Sequence, residues 1–426
     1  MVKLANAFKK LSGKKSGKIE KRWVFEAKAP ILSSPIVGDV DQKGNTAIVF
    51  GTKSGELYML GEDSKVKWVY NIHEEMTPEQ MLFMDEESMK SIYGSPKLVD
   101  INKDNKKEVI FGSDIGKLYV LDSNGKLIWD FKARDAIRTS PLVEDINNDF
   151  RFEIIFGSRD KFLYVVDNEG KLIWKFEAES GIESSPALLR DKNGSIQIIF
   201  GSNDGTIYSL NDKGDLLWKF KTKGKITAQP AIGDLYGNGD LYIVVGSYDN
   251  NLYVLDSKGS LEWKFETKGR ILSKATLYDI NKDNKLEIIF GSCDNNVYAL
   301  NSRGSKLWNY ETDFWVVSTP LVIDIDDDGR LEVVVGSYDH SLYILDAEGS
   351  FLLNYMPGVS GATQQIGQNV DIITSEPGQY CGKKLWQFKT EGMIVGSTYL
   401  DSKKKKNIIL GIKNGKLDDI IYNPEV

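Results

Sequence analysis

Apolar and polar residues alternate along most of this chain in short runs that end at turn residues. The stretch Asn251–Asp256, NLYVLD, alternates strictly, whereas Glu287–Ser292, EIIFGS, is continuously apolar up to its Gly-Ser end. Such runs are rich in β-branched and aromatic residues and are broken by Gly, Asn and Asp about every 8–12 residues, which predicts antiparallel β-strands. Helical periodicity is nearly absent, so the pattern predicts an all-β protein.

The runs belong to a unit that repeats about every 45 residues, a length typical of a four-stranded propeller blade. A glycine, usually followed by serine, marks each copy: Gly51, Gly112, Gly157, Gly201, Gly246, Gly291, Gly336 and, more weakly, Gly411. A tyrosine follows seven positions later at Tyr58, Tyr119, Tyr164, Tyr208, Tyr253, Tyr298 and Tyr343. A tryptophan follows seventeen positions later at Trp68, Trp129, Trp174, Trp218, Trp263 and Trp308.

Each unit contains four strands: a short one after a Ser/Thr-rich segment, an apolar one after an acidic turn, an alternating one, and one that carries the Trp. The eighth unit ends before a Trp strand, and the N-terminal KRWVFEA around Trp23 is a Trp strand without a unit. Pairing the two would close the ring and remove its open edges. We therefore predict an eight-bladed β-propeller of four-stranded antiparallel blades, closed by the strand around Trp23. Seven blades is the alternative, because the eighth unit is the most degraded.

The predicted propeller forms a single domain over residues 23–426, with insertions at about 71–92 and 350–381. In the first insertion, Thr77, Pro78 and Gln80 are typical of a helix start. Residues 1–22 form a basic arm, with eight Lys or Arg against one Glu. Leu4, Phe8 and Leu11 within it suit a short amphipathic helix that lies on anionic membranes or partners. A disordered solubilising tail is the alternative.

The Gly-Ser turn, the LYxLD strand and the GxLxWxF strand together resemble the repeats of the pyrroloquinoline-quinone-like propeller family. The resemblance covers roughly residues 23–422 and implies that each Trp packs between neighbouring blades. The family includes quinoprotein alcohol dehydrogenases and non-enzymatic members such as outer-membrane assembly lipoproteins, so the fold does not decide function. The dehydrogenases imply a quinone and calcium in the central channel, with a catalytic Asp and often a vicinal Cys pair. This chain has neither adjacent cysteines nor a CxxCH motif, so pyrroloquinoline quinone is not expected.

The acidic turn is the strongest candidate for chemistry, because carboxylates or amides occur at its positions 1, 3, 5 and 9. Four turns carry the full set: Asp100, Asn102, Asp104 and Glu108; Asp145, Asn147, Asp149 and Glu153; Asp279, Asn281, Asp283 and Glu287; and Asp324, Asp326, Asp328 and Glu332. Alternating oxygen ligands suit calcium, which takes 6–8 oxygens. The spacing resembles the calcium loops of integrin-type propellers, so calcium is the cofactor we expect. Only the last turn has Gly, Gly329, at position 6, where a left-handed backbone is expected; Phe150 fits poorly there.

The alternative is that these turns only stabilise hairpins through side-chain-to-backbone hydrogen bonds. Equivalent turns in other units have lost ligands: Leu189, Asp191, Asn193 and Gln197; Asp234, Tyr236, Asn238 and Tyr242; and, beside Asp39 and Asp41, Ala47. Either way, the expected role is stabilisation rather than catalysis.

Composition narrows the function further. The formal net charge of −7 argues against general nucleic-acid binding. No apolar run is long enough for a transmembrane helix, and two cysteines far apart, Cys293 and Cys381, indicate no disulfide framework. His73 and His340 are expected at the surface. Without a visible signal peptide the chain is expected in the cytoplasm, or outside it if such a peptide was removed.

The sequence as a whole predicts a non-catalytic interaction or scaffold protein. Its expected contact elements for a protein partner are the two insertions and the basic arm, and the arm also suits peripheral membrane contact. The alternative is a quinone-dependent dehydrogenase, or another ligand-binding protein, that uses the central channel.

Overall fold

A computed structural model describes residues 17–41, 43–73, 89–351, 380–402 and 405–424. These residues form eight four-stranded sheets, which confirms the predicted eight-bladed propeller and excludes the seven-bladed alternative. The first strand is β1 (Gly17–Glu26). It precedes all the repeats and belongs to the last blade.

The strands follow the repeat unit in chain order. Blades 1 to 4 are β2 (Ile36–Asp39), β3 (Thr46–Gly51), β4 (Glu56–Gly61), β5 (Val66–Asn71); β6 (Lys97–Val99), β7 (Glu108–Gly112), β8 (Lys117–Leu121), β9 (Leu127–Lys132); β10 (Leu142–Glu144), β11 (Glu153–Gly157), β12 (Phe162–Val166), β13 (Leu172–Glu177); and β14 (Ala187–Arg190), β15 (Ile196–Gly201), β16 (Thr206–Leu210), β17 (Leu216–Lys221). Blades 5 to 7 are β18 (Ala231–Gly233), β19 (Tyr242–Gly246), β20 (Asn251–Leu255), β21 (Leu261–Glu266); β22 (Thr276–Tyr278), β23 (Glu287–Gly291), β24 (Asn296–Leu300), β25 (Lys306–Glu311); and β26 (Leu321–Ile323), β27 (Glu332–Ser337), β28 (Ser341–Phe351), β29 (Tyr380–Lys389). Blade 8 adds β30 (Ile394–Ser402), β31 (Lys405–Ile412) and β32 (Lys416–Pro424) to β1.

The hydrophobic core is divided into eight clusters, one at each interface between neighbouring blades. The second strand of each blade is buried on both faces, as in β11, because the sheets on either side cover it. This explains why that strand is continuously apolar in the sequence. The outermost strand alternates between half-buried and exposed positions, as in β13, because one of its faces packs on the next blade and the other meets solvent.

Each repeat Trp joins its blade to the next one, as the family resemblance implied. The indole Nε1 of Trp129 donates a 3.0 Å hydrogen bond to the carbonyl of Asn168 in the following blade. The ring also covers Gly170 so closely that a β-carbon there would lie 2.7 Å from it. The same donor bond recurs at Trp68, Trp174, Trp218, Trp263 and Trp308.

The ring closes through β1, which pairs antiparallel with β32 from Gly17↔Pro424 to Glu26↔Lys416. Trp23 donates to the Glu62 carbonyl of blade 1 at 3.1 Å, which repeats the contact between blades seen elsewhere. The predicted closure is therefore confirmed. The strand begins at Gly17, so residues 17–22 of the basic arm form part of the propeller.

The closing seam contains two ion pairs that the repeat pattern does not predict. Asp418 and Asp419 occupy β32 where other blades have the repeat Tyr and an apolar residue, and both are buried. Lys21 lies 2.9 Å from Asp418, and Arg22 lies 3.3 Å from Asp419. The first and last strands are thus joined by charge as well as by their backbone ladder.

Strand directions divide the loops between two faces of the ring. The turn between the first and second strands and the hairpin between the third and fourth lie on one side, which we call the acidic face. The turn between the second and third strands and the connection to the next blade lie on the other, the Gly-Ser face. This follows from the strictly antiparallel order within each blade.

The described flanks of the two insertions lie on opposite faces. The connection from β5 to β6, which contains the first insertion, begins and ends on the Gly-Ser face, whereas the paired ends of β28 and β29, which flank the second, lie on the acidic face. Trp386 pairs with Ile344 beyond that insertion, so the repeat Trp strand resumes as predicted. The helix predicted after Thr77, most of both insertions and residues 1–16 lie outside the described residues.

Candidate functional site

All four predicted ligand sets lie in turns on the acidic face, each between the first and second strands of its blade. In the turn of blade 3, Asp145 accepts hydrogen bonds from the backbone of Asp149 and of Phe150, the second at 2.9 Å. Glu153 accepts a 2.9 Å bond from the backbone of Ile146. The backbone therefore orients these carboxylates toward the inside of the turn.

Three of the turns also satisfy their glutamate internally. Asn147 donates its side-chain amide to Glu153 at 3.1 Å. Asn102 and Asn281 do the same for Glu108 and Glu287, at 3.2 and 3.4 Å. The amide at position 3 gives the glutamate carboxylate a hydrogen-bond donor within the turn. These three turns therefore satisfy part of the hydrogen-bonding capacity of their glutamate without a cation.

The turn of blade 7 differs at that same position. Asp326 replaces the asparagine and carries no amide donor for Glu332. Oxygens of Asp324, Asp326 and Glu332 all lie within 4.8 Å of one another. Within the described ranges, this is the one grouping of at least three such side chains close enough to hold a metal ion.

The fourth predicted ligand of this turn, Asp328, is already engaged. Its Oδ2 lies 2.8 Å from Nη2 of Arg330, and its Oδ1 accepts the Arg330 backbone N–H at 2.9 Å. Lys406 of blade 8 also forms an ion pair with Asp327 at 2.6 Å. A cation here would enter a site with three convergent carboxylates and two cationic neighbours.

Burial affects the glutamates of the other turns. It raises the pKa of Glu108 to about 7, with Asp104 and Asp100 adding to the rise. The pKa values of Glu153 and Glu287 are raised for the same reasons. A buried carboxyl of this kind favours either a proton or a nearby cation over an isolated charge.

The turn backbones are left-handed at positions 4 and 6 in all four sets: Lys103, Asn105, Asn148, Phe150, Lys282, Asn284, Asp327 and Gly329. The predicted left-handed position 6 is therefore present even where Gly is missing. Phe150 adopts it with φ of 67° and leaves its side chain 79% exposed. The Phe150 backbone N–H donates to the Asp145 carboxylate, and this hydrogen bond helps to hold Phe150 in a conformation that its side chain disfavours.

A cleft of about 510 Å³ lies beside the blade 7 turn. It separates the acidic turns of blades 6 and 7, and Asp279, Lys282, Asp324 and Gly329 are among its lining residues. The cleft gives a solvated ion a route to Asp324.

Sequence reasoning missed a second candidate region, a set of exposed aromatic residues on the Gly-Ser face. Tyr93, Phe314 and Trp315 are 39%, 42% and 40% exposed there, in the connections between blades. The Arg138 guanidinium lies 4.4 Å from the centre of the Tyr93 ring and forms a bidentate pair with Asp114. The signal was present in the sequence, because these aromatic residues occupy repeat positions that are smaller or polar in other units.

Comparisons with known proteins support the fold. A family model of the lambda-carrageenase β-propeller domain matches residues 190–269 and 256–357. No curated protein matches the sequence. No helix among the described residues is long and apolar enough to cross a bilayer.

Solved structures match over nearly the whole ring. BamB from Moraxella catarrhalis is 16% identical with a TM-score of 0.63, covering 95% of this chain and 100% of that one. Saccharomyces cerevisiae Sqt1 is 10% identical with a TM-score of 0.65, covering 95% and 99%. BBS1N, solved in complex with ARL6DN, is 8% identical with a TM-score of 0.53, covering 96% and 99%. This chain is a β-propeller. At these identities the likeness establishes the fold alone.

Proposed function

We propose that the protein is a non-catalytic interaction platform of the pyrroloquinoline-quinone-like propeller type, and that it binds a protein partner on its Gly-Ser face. The observation that carries this proposal is the set of exposed aromatic residues in two connections between blades on that face. Phe314 and Trp315 stack with ring centres 5.2 Å apart, and Tyr93 lies against Arg138. Tyr, Trp and Arg are the residue types that dominate binding energy at protein interfaces.

The first insertion belongs to the same face and supports the proposal. Its two ends are anchored by buried Ile72 and Ile92, which hydrogen-bond to the backbone of Gly55 and Thr52. Both described flanks of the insertion are therefore held on the ring, and the second flank directly precedes Tyr93. A partner that contacts Tyr93 would lie within reach of this insertion.

The basic arm and the second insertion serve the opposite face in this proposal. The arm precedes Gly17, which lies beside Pro424 at the acidic face. We propose that the arm makes peripheral contacts there, to a second part of the partner or to an anionic membrane surface.

Quantitative co-purification of the native partner tests the platform. Trp315→Ala and deletion of residues 74–88 are expected to reduce capture by about tenfold or more, since a buried interface aromatic contributes at least 1–2 kcal/mol. Ile128→Ala is the control, because it removes an exposed apolar side chain from the outer strand β9, away from both faces. Full capture by both Gly-Ser-face variants would overturn the proposal. A quinone-dependent change in absorbance on adding pyrroloquinoline quinone and calcium would instead support the dehydrogenase.

We further propose that calcium stabilises the blade 7 turn, with Asp324, Asp326 and Glu332 as its carboxylate ligands. The donor chemistry fits, because three carboxylates converge without the amide that satisfies the other turns. Asp328 would join them by exchanging its contact with Arg330. The three sets that contain asparagine remain predicted sites of the same kind.

Thermal unfolding tests the calcium proposal. Chelation is expected to lower the melting temperature of the wild type, and added calcium to restore it, because a ligand that binds only the folded state stabilises it. Asp326→Asn, which imitates the other three turns, and the double change of Asp324 and Asp328 to Ala should remove most of this response. Asp191→Asn in the incomplete turn of blade 4 is the control and should retain it. A wild-type melting temperature indifferent to chelator and calcium would leave the turn purely structural.

A further inference from the structure

One position of the repeat forms a polar ring just inside the Gly-Ser face. It immediately precedes the Pro, or the residue in its place, at the start of each inner strand, and we call it the neck ring: Ser34, Ser95, Ser140, Ser185, Gln229, Lys274, Thr319 and Ser397. Seven of these side chains are neutral and polar. Lys274 is the exception.

Neighbouring members of the neck ring touch one another. The backbone of Ser95 donates to the Ser140 hydroxyl at 2.8 Å, and the backbone of Ser140 donates to the Ser185 hydroxyl at 2.8 Å. Between blades 8 and 1, a β-carbon on Gly396, which precedes Ser397 of the ring, would lie 1.9 Å from the hydroxyl of Ser34. These contacts link neighbouring inner strands, which line the central channel.

A second lysine lies opposite Lys274. Lys97 begins β6 in blade 2, two residues after Ser95 of the neck ring. Lys274 belongs to blade 6, and blades 2 and 6 are diametrically opposed in a ring of eight. The two ammonium groups thus face the same channel from opposite walls.

The electrostatics of the pair agree with this placement. Burial lowers the pKa of Lys274, and the charge of Lys97 lowers it further. Lys97 remains exposed, but partial desolvation by the surrounding protein also lowers its pKa, whereas Glu144 acts in the opposite direction. In the described part of the chain, neither lysine forms an ion pair.

Two like charges in a narrow channel repel each other, and the repulsion is stronger than in bulk water. An anion between them would reverse the sign of the interaction, and ammonium and hydroxyl groups are both donors to oxyanions. We propose that the neck of the central channel is a binding site for a small oxyanion of the phosphate or sulfate type, held by Lys97 and Lys274 with hydroxyl groups of the neck ring.

The experiment measures thermal unfolding and isothermal titration with inorganic phosphate and with sulfate, against chloride at matched ionic strength. Phosphate or sulfate is expected to raise the wild-type melting temperature more than chloride does. Lys274→Gln gives blade 6 the glutamine that blade 5 has at the equivalent position, Gln229. This change should weaken oxyanion binding by about tenfold or more. Lys258→Gln, in an exposed hairpin on the outside of blade 5, is the control and should bind as the wild type does.

The same variant supplies a second readout that does not depend on binding. Without oxyanion, Lys274→Gln should melt at a higher temperature than the wild type, because it removes the repulsion with Lys97. Equal responses of the wild type to phosphate, sulfate and chloride would overturn the proposal. So would a Lys274→Gln protein that binds phosphate with wild-type affinity.

Discussion

At the scale of single residues, the contact between Trp129 and Gly170 shows how one blade specifies the position of the next. Gly170 has φ of 84° and lies directly under the Trp129 ring. Two independent requirements therefore exclude a side chain there, a left-handed backbone and the closeness of the indole. Gly194 has almost the same backbone, φ 83°, but nothing lies within 4 Å of the β-carbon it would gain.

This pair of glycines gives a controlled prediction. Gly194→Ala should lower the free energy of unfolding by about 1 kcal/mol, the cost of a left-handed Ala. Gly170→Ala should lower it by about 2–4 kcal/mol, because the β-carbon must also displace Trp129. Denaturant unfolding of both variants measures the difference, which is the contribution of the Trp contact. Equal losses in the two variants would show that the blades do not depend on this contact.

At the scale of elements, the four acidic turns have the same ligand spacing and the same backbone conformation. They differ at position 3, where three have an amide and one has a carboxylate. The amide of Asn147 donates to Glu153, whereas Asp326 has no amide to offer Glu332. By ligand spacing alone, the four turns are equivalent. The structure separates them, because the hydrogen bond inside each turn depends on which side chains meet and not on their interval.

In the closing strands, charged side chains are buried at positions where the other repeats have aromatic and apolar residues. Asp419 is 1% exposed, and burial raises its pKa from 3.8 to about 6 although Arg22 and Asn407 act to lower it. The free-energy cost of removing the carboxylate from water thus exceeds the stabilisation that Arg22 and Asn407 provide. A raised folded-state pKa means that stability falls as the pH rises through that value.

Asp419→Asn should therefore gain stability relative to the wild type as the pH rises. Below pH 4 both side chains are uncharged and the difference is smallest. By pH 7 the difference should shift in favour of the variant by about 3 kcal/mol, since the pKa is raised by about two units and one unit corresponds to about 1.4 kcal/mol. Denaturant unfolding across this pH range measures it. A shift in favour of the wild type would mean that the pair with Arg22 outweighs burial.

At the scale of the whole molecule, the ring depends on a strand that lies farthest in sequence from its partner. β1 supplies Trp23 to the interface with blade 1 and Ile19 to the interface with blade 7. Without it, β32 would become an open edge and two core clusters would lose a wall.

Two truncations separate closure from the role of the arm. Removal of residues 1–26 should destabilise the protein by about 5 kcal/mol or more, since several apolar side chains become exposed at roughly 1.5–3 kcal/mol each. Binding of a hydrophobic dye should rise in parallel. Removal of residues 1–16 leaves β1 intact and should leave the melting temperature unchanged. A stable ring in the longer truncation would mean that closure by β1 is dispensable.

The sequence by itself determined the blades, because a blade is built from local strands whose alternation, turns and repeat Trp recur at a constant interval. It also indicated the closure, since a unit without a Trp strand and a Trp strand without a unit complement each other. The position of each ligand in its turn was equally local.

Only the tertiary structure decided which of these features act together. Closing the ring places Lys97 opposite Lys274, and the strand directions bring the connections that carry Tyr93, Phe314 and Trp315 to one face. Such relations depend on how many blades complete the circle and on the direction of every strand. No interval between neighbouring residues encodes them, because the contacts arise between blades that are distant in the chain.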